Sequence, residues 1–122
     1  MEEDFGKEYR MHLRTEIDSL FREGRKIHVF PFLSHVLEKP SDSPKFSVVI
    51  SIPKAKIKQA NQRNRMKRMV RECLRKNKEP LLKKTNDAGC LVHFSLVYLS
   101  EEVLDYPKLD TTIKQIINRI CV

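Results

Sequence analysis

The chain of 122 residues is long enough for one modest domain, built around a single core of one sheet and a few helices. Charged residues make up 33% of it and hydrophobic residues 40%, a balance that excludes an intrinsically disordered chain. The formal net charge of +8 favours a polyanionic partner. We therefore expect one domain over residues 1–122, in which residues 1–12 are flexible.

The first predicted element is a short amphipathic helix. Its apolar residues Leu13, Ile17, Leu20 and Phe21 fall at positions i, i+4, i+7 and i+8, and Gly24 is a natural helix stop. This spacing predicts one apolar helix face.

Two extended segments follow the helix. Residues 27–37 are rich in aromatic and branched side chains and are predicted to form one extended segment, in which Pro31 is tolerated best at an edge or a strand start. Residues 40–44 have the composition of a turn. Residues 46–52 alternate strongly apolar side chains with Ser or Val, which predicts a strand with one apolar face, ended by Pro53.

The second half of the chain contains a helix, a strand and a final helix. The helix is predicted from about Gln59 to Asn77, and the strand from Cys90 to Leu99 with alternate residues on one apolar face. Pro107 opens the last helix, a favoured position for proline. The order α-β-β-α-β-α predicts an α+β fold in which a single small sheet packs with helices.

The positive charge is concentrated in one quarter of the chain. Between Lys54 and Lys84 there are 13 basic residues and only two acidic ones, Glu72 and Glu79, so this segment carries +11 and the remainder −3. Such localisation is typical of a binding surface rather than of general solubility.

A helical wheel divides the predicted second helix into an apolar and a basic side. The apolar sector contains Met66, Met69, Val70, Cys73, Leu74 and Asn77. The basic stripe contains Arg63, Lys67, Arg71 and Arg75 at i+4 spacing, with Asn64 and Arg68 beside them and Arg65 at the far flank. Like charges four residues apart repel each other, so the stripe is locally unfavourable unless a partner such as RNA neutralises it. The alternative is a solvated helix face.

The sequence contains no pattern typical of a catalytic or metal site. The four histidines are far apart, and the acidic residues near Pro107 flank a helix start, where the helix dipole favours carboxylates. Cys73 and Cys90 occupy apolar positions, and the odd total of three cysteines predicts a reducing compartment. The acidic N-terminus is unlike a signal peptide, and no apolar run could span a bilayer, so we expect a cytoplasmic protein.

Three motifs resemble those of the ribonuclease P protein family. The run from Arg63 to Glu72, Arg-Asn-Arg-Met-Lys-Arg-Met-Val-Arg-Glu, is similar to the family signature RNRxKRxxRE. Residues 51–54, Ser-Ile-Pro-Lys, and residues 20–24, Leu-Phe-Arg-Glu-Gly, resemble family motifs at the end of a strand and of the first helix. The agreement in order and spacing runs from about residue 13 to residue 120.

The resemblance implies a protein subunit of ribonuclease P, the endoribonuclease that matures the 5′ ends of tRNA. Cleavage would be carried out by a catalytic RNA with Mg²⁺, and the protein would have no catalytic residue and bind no cofactor itself. The implied partners are this RNA and precursor tRNA, without a membrane or an obligatory protein partner. The implied fold has a left-handed βαβ crossover, although right-handed crossovers are the general rule.

The resemblance also implies two binding surfaces. The helix with the signature would contact the catalytic RNA, and a cleft between this helix and the sheet would hold the 5′ leader of the precursor. The expected RNA contacts are Arg63, Asn64, Arg65, Lys67, Arg68 and Arg71, to which the basic stripe adds Arg75. The expected leader contacts are Ile17, Phe21, Phe32, His35, Ser51 and Lys54.

The chain departs from the family pattern at three places. The family often has aromatic residues where Ile17 and His35 stand, and the segment 55–62 is one residue longer than the commonest form. Phe21 is compatible with a core position as well as with a leader contact.

Two other functions stay open: a general or ribosome-associated RNA-binding module, and a metal nuclease that acts without RNA.

Overall fold

The structure, a computed structural model, describes residues 9–11 and 13–122. These residues form a four-stranded sheet and four helices. In chain order the elements are α1 (Arg14–Glu23), β1 (Arg25–Val29), β2 (Phe32–Pro40), β3 (Lys45–Ser51), α2 (Ala60–Asn77), α3 (Glu79–Ala88), β4 (Cys90–Tyr98) and α4 (Tyr106–Cys121). The predicted α+β class is confirmed, and the predicted order is kept, except that one extended segment is divided into β1 and β2 and an additional helix, α3, follows α2.

Proline accounts for both differences. Residues 27–37, predicted as one extended segment, form a hairpin in which β1 and β2 pair on either side of the Phe30–Pro31 turn. Proline has no backbone N–H to donate to a strand ladder, and its fixed φ favours a turn. The helix α3 follows α2 directly and has Pro80 in its first turn, where a missing N–H costs nothing. It ends at Gly89, whose φ of 60° favours glycine.

The strands lie in the order β1-β2-β4-β3. β2 pairs antiparallel with both β1 and β4, whereas β3 and β4 are parallel neighbours. The connection from β3 to β4 runs through α2 and α3, which confirms a βαβ crossover. Its left hand stays a prediction drawn from the resemblance.

One face of the sheet carries the main core. Its largest fully buried strand residues are Phe32, Phe46, Phe94 and Tyr98, and they form one cluster with the buried faces of α2, α3 and α4. Burial of each such side chain stabilises the fold by about 1.5–3 kcal/mol. The helices α2, α3 and α4 are thereby held on this face.

The helix α1 crosses the opposite face of the sheet. Its buried residue, Leu20, lies outside the main core cluster. The helix ends at Gly24, where an added Cβ would stand 2.6 Å from the carbonyl oxygen of Leu20 and 3.1 Å from backbone atoms of Val36. Glycine is therefore required for this close approach of the chain to β2.

Residues 9–11 attach the start of the described chain to β3. The ring of Tyr9 stacks on Phe46 at 4.7 Å between centroids, and the N–H of Met11 donates to the carbonyl of Val48 at 3.1 Å. These three residues belong to the segment 1–12 that was expected to be flexible. The rest of that segment, residues 1–8 and 12, lies outside the described residues.

Candidate nucleic-acid interface

The rotation of α2 is set by its apolar side. Met66, Val70, Cys73 and Leu74 are buried, and Met69 packs against the same core, as the helical wheel predicted. The principal neighbour of this helix is α4. Because the apolar side is fixed against α4, the opposite side of α2 faces solvent along a helix of 18 residues, about 27 Å at 1.5 Å per residue.

Four of the predicted RNA contacts face solvent without a side-chain partner. Asn64, Arg65 and Arg68 are exposed, and Lys67 is half-buried. Within the part of the chain that the structure describes, none of their side chains takes part in a hydrogen bond or an ion pair. We call these four residues the α2 ridge.

The other three predicted contacts interact within the molecule. Nη1 of Arg63 donates to the carbonyls of Ile57 and Lys58 at 2.9 and 2.8 Å, so this arginine holds the loop that precedes α2. Arg71 is half-buried and also has a partner within the chain. The positive stripe is therefore less uniform than the sequence spacing predicted.

Arg75 forms a two-point ion pair with Glu72. Its Nε lies 3.0 Å from Oε1 and its Nη2 lies 2.5 Å from Oε2 of the same carboxylate. The hydrogen bonds from Arg75 lower the pKa of Glu72. Because the carboxylate neutralises this guanidinium, the expected contribution of Arg75 to RNA binding is small.

The predicted cleft residues do not lie between α2 and the sheet, and that prediction is wrong. Ile17 and Phe21 belong to α1, which contacts β2 and β4 on the face opposite the main core. The ring of Phe21 contacts the imidazole of His35 at 4.8 Å between centroids, which shows that His35 lies on this face too. A leader cleft formed by these residues would therefore be bounded by α1 and the sheet, and not by α2.

Phe32 lies on the other face, so its prediction as a leader contact is also wrong. Its side chain is 0% exposed and packs edge-on against Tyr98 at 5.2 Å in the main core. Successive side chains of a strand point to opposite faces of the sheet. Phe32 and His35 are three residues apart in β2, so they cannot lie on the same face.

Strand alternation and register place two further residues on the His35 face, which sequence reasoning missed. Leu33 stands two residues before His35 on β2 and pairs with Val97 on β4. Leu33 and Val97 are both half-buried. Val97 in turn pairs with Ser51, so the three residues form one row across the sheet. The alternation of β2 was a sufficient signal for Leu33, whereas Val97 required the register.

The polar residues beneath α1 are packed and hydrogen-bonded. The backbone N–H of His35 donates to Oγ of Ser95 at 2.8 Å, and the imidazole Nδ1 lies 3.4 Å from the same hydroxyl. Burial lowers the pKa of His35, and the nearby charge of Lys26 lowers it further. The lowered pKa favours the neutral imidazole, so an uncharged ring lies against Phe21.

Ser51 and Lys54 connect the cleft with α2. Ser51 is the last residue of β3 and is half-buried, while Lys54 is exposed in the turn that follows. This places both at the end of the sheet where the loop toward the α2 ridge begins.

The remaining candidate residues have structural roles. Asp105 caps α4, because its Oδ1 accepts a hydrogen bond from the N–H of Lys108 at 3.2 Å. Cys73 is fully buried, and burial raises its pKa to about 11.

Within residues 9–11 and 13–122, no three His, Cys, Asp or Glu side chains stand close enough to hold a metal ion. No helix of this described part could cross a bilayer by its length and apolarity.

Comparisons with known proteins place the chain among relatives of one family. A family model described as Ribonuclease P matches residues 5–120. A ribonuclease P protein component from Porphyromonas gingivalis is 29% identical over 115 residues, covering 93% of this chain and 84% of that protein. One from Ligilactobacillus salivarius is 35% identical over 94 residues, covering 77% of this chain and 80% of that protein.

Two solved structures have similar folds. The ribonuclease P protein from Thermotoga maritima superposes with a TM-score of 0.67 at 25% identity, covering 91% of this chain and 96% of that chain. The protein from Staphylococcus aureus superposes with a TM-score of 0.69 at 15% identity, covering 93% and 95%, and supports the fold alone.

Proposed function

This chain belongs to the ribonuclease P protein family, and from that premise we propose that its α2 ridge binds the catalytic RNA while its cleft holds the 5′ leader of precursor tRNA. Membership makes it the protein component of the endoribonuclease that matures tRNA 5′ ends, with the ribonuclease P RNA as partner. Each of the two surfaces would bind its RNA through a separate set of residues.

The observation that carries the proposal is the set of cations on the α2 ridge. Arg65, Lys67 and Arg68 lie outside the buried side of α2 and have no acidic partner in the described part of the chain. Arginine can bind two phosphate oxygens at once, and each phosphate neutralised releases counterions from the RNA. The ridge therefore suits the phosphate backbone of a folded RNA.

The cleft is suited to a single strand rather than to a duplex. Phe21 is 40% exposed beside the half-buried Ile17, and the row of Leu33, Val97 and Ser51 forms an adjoining floor. Such a surface offers a ring for base stacking and apolar contacts, while Lys54 supplies a positive charge at one end. The leader is present in the precursor and absent from the product, so contacts with it favour binding of the precursor over the mature tRNA.

We assign the chemical step to the RNA subunit together with Mg²⁺ ions that the RNA holds. In this proposal the protein contributes no catalytic residue and acts by binding. We also place the complex in the cytoplasm, which the three free cysteines support because thiols persist in a reducing compartment.

A reconstitution assay tests the proposed function. The protein is added to ribonuclease P RNA at low magnesium, and cleavage of precursor tRNA is followed with and without the protein. We expect faster cleavage, and tighter binding of precursor than of mature tRNA. Equal affinity for both would favour a general RNA-binding module, and cleavage without the RNA subunit would favour a protein nuclease.

A further inference from the structure

The pairing of β2 with β4 is interrupted beneath α1. Among the described residues, Ser34 and His35 have no pair in β4, although the register is regular on both sides of them. The flanking pairs are Leu33–Val97 and Val36–Phe94. In that register His35 stands opposite Ser95, and its backbone N–H donates to Oγ of Ser95 at 2.8 Å. A side-chain hydroxyl therefore takes the place of a backbone carbonyl in the ladder.

The hydroxyl of Ser95 meets His35 at two points. Ser95 is 0% exposed, and its Oγ lies 3.4 Å from the imidazole Nδ1 in addition to accepting the backbone N–H. Because the oxygen accepts from the backbone, its own proton remains to be donated, and Nδ1 is an acceptor within reach. A neutral imidazole whose Nδ1 accepts carries its proton on Nε2. Ser95 thus holds both the strand and the ring of His35.

These contacts continue from β4 to the surface of the cleft. The imidazole of His35 meets the ring of Phe21 at 4.8 Å between centroids, and Phe21 is 40% exposed. Ser95 itself is fully buried, so it cannot touch an RNA strand. Any effect of Ser95 on binding must therefore pass through His35 and Phe21.

The interruption of the ladder has a cost in stability. Ser34, on the opposite face of the sheet from His35, is 0% exposed, and its Oγ has no hydrogen-bond partner among the described residues. Buried polar groups are normally satisfied, and an unsatisfied one lowers the stability of the fold. Proteins keep such local costs mainly at functional sites. The interruption lies directly beneath the ring that was assigned to leader binding.

We propose that Ser95 is a positioning residue of the leader cleft, whose hydroxyl holds the backbone and the imidazole of His35 so that the Phe21 ring is presented to a leader base. This inference rests on the proposed function and deepens it, because it adds a buried residue that acts through the cleft without contacting RNA. An ordinary ladder hydrogen bond would fix the strand alone. The serine hydroxyl fixes the strand and the ring together, which reduces the freedom that Phe21 loses on binding.

Ser95→Ala tests the proposal, with Ser47→Ala as its matched control. Ser47 is also buried on the face that α1 covers, but it pairs with His93, and no hydrogen bond joins it to His35 in the described chain. Each protein is assembled with ribonuclease P RNA, and the dissociation constants of precursor and mature tRNA are measured. We expect Ser95→Ala to lower the preference for precursor by about fivefold, the lower end of what one stacked base contributes. Ser47→Ala should keep the wild-type preference.

A double-mutant cycle shows whether Ser95 acts through Phe21. Combined with Phe21→Ala, the substitution Ser95→Ala should cause no further loss of preference, because the ring that it positions is already absent. A purely structural role would give losses that add. A further fivefold loss in the Phe21→Ala protein would therefore overturn the inference, as would an unchanged preference in Ser95→Ala or an equal loss in the Ser47→Ala control.

The tautomer of His35 provides a measurement that needs no RNA. Nitrogen-15 NMR of the imidazole should show the proton on Nε2 in the wild-type protein, and Ser95→Ala should lose this single tautomer. Should the alanine variant not fold, Ser95→Cys keeps the volume with a weaker hydrogen-bonding group and should give an intermediate preference. A cysteine variant equal to the wild type in both measurements would contradict the role of the hydroxyl. If the wild-type enzyme binds precursor and mature tRNA equally, the proposed function itself fails.

Discussion

The ring of Phe21 meets the imidazole of His35 edge-on, with centroids 4.8 Å apart and planes inclined by 61°. Phe21 comes from α1 and His35 from β2, so the contact joins the helix to the sheet inside the cleft. The Phe21 ring is held against the sheet by this contact, yet the residue stays 40% exposed. This arrangement suits a stacking platform better than a core residue.

Phe21→Ala should therefore reduce the preference for precursor over mature tRNA. Stacking of a base on an aromatic ring contributes about 1–3 kcal/mol, which corresponds to roughly 5–150-fold in affinity. The ratio of the two dissociation constants, measured with the assembled enzyme, should fall by about tenfold or more. A protein that unfolds, or a ratio that stays the same, would show that Phe21 belongs to the core.

Phe32→Ala should have the opposite effect: it should lower stability and leave the preference for precursor over mature tRNA unchanged. Because Phe32 is completely buried against Tyr98, its truncation leaves a cavity and should lower the free energy of unfolding by about 3–5 kcal/mol. Denaturant titration measures this loss. Protein that remains folded should keep the wild-type ratio of precursor to mature affinity; a loss of that preference without a loss of stability would return Phe32 to the cleft.

Arg65→Ala and Arg68→Ala should each weaken binding to the catalytic RNA and reduce its log–log salt slope by about 0.7–0.9. Arg75→Ala is the matched control on the same helix, because the Glu72 carboxylate already neutralises that guanidinium. Its slope should change less than that of either ridge variant. Equal reductions in all three would show that the ion pair opens when RNA binds.

The histidines beneath α1 make stability depend on pH. Burial lowers the pKa of His35 and of His93; Glu16 on α1 opposes the effect at His93. A lowered pKa means that the unfolded chain takes up protons first as the pH falls below about 6.5, the ordinary histidine value. Stability is therefore complete above that pH and decreases below it.

We expect the free energy of unfolding to decline between pH 6.5 and pH 5, and to decline less steeply in His35→Gln and in His93→Gln. Chemical denaturation at a series of pH values gives these slopes. A flat profile for the wild type would contradict the burial of neutral imidazoles.

Much of the secondary structure could be predicted from local sequence patterns. Periodicity predicted the start of α2 to within one residue and assigned Met66 and Val70 to the core. It predicted a strand from Cys90 to Leu99, where the structure has β4 at Cys90–Tyr98. The hairpin at Pro31 and the separate helix α3 were missed, although proline and glycine signals were present at both places. Alternation along β2 was also sufficient to exclude Phe32 from the face of His35.

By itself, the sequence determined the family, the basic helix and the side of that helix which faces solvent, because these depend on residues close together in the chain. Only the tertiary structure decided that α1 covers the face opposite α2, and thereby where the cleft lies. Alternation defines two faces of a sheet but not which helix packs on each. The tertiary structure also decided that Arg63 holds the loop before α2, since the path of that loop determines which carbonyls come within reach of the guanidinium.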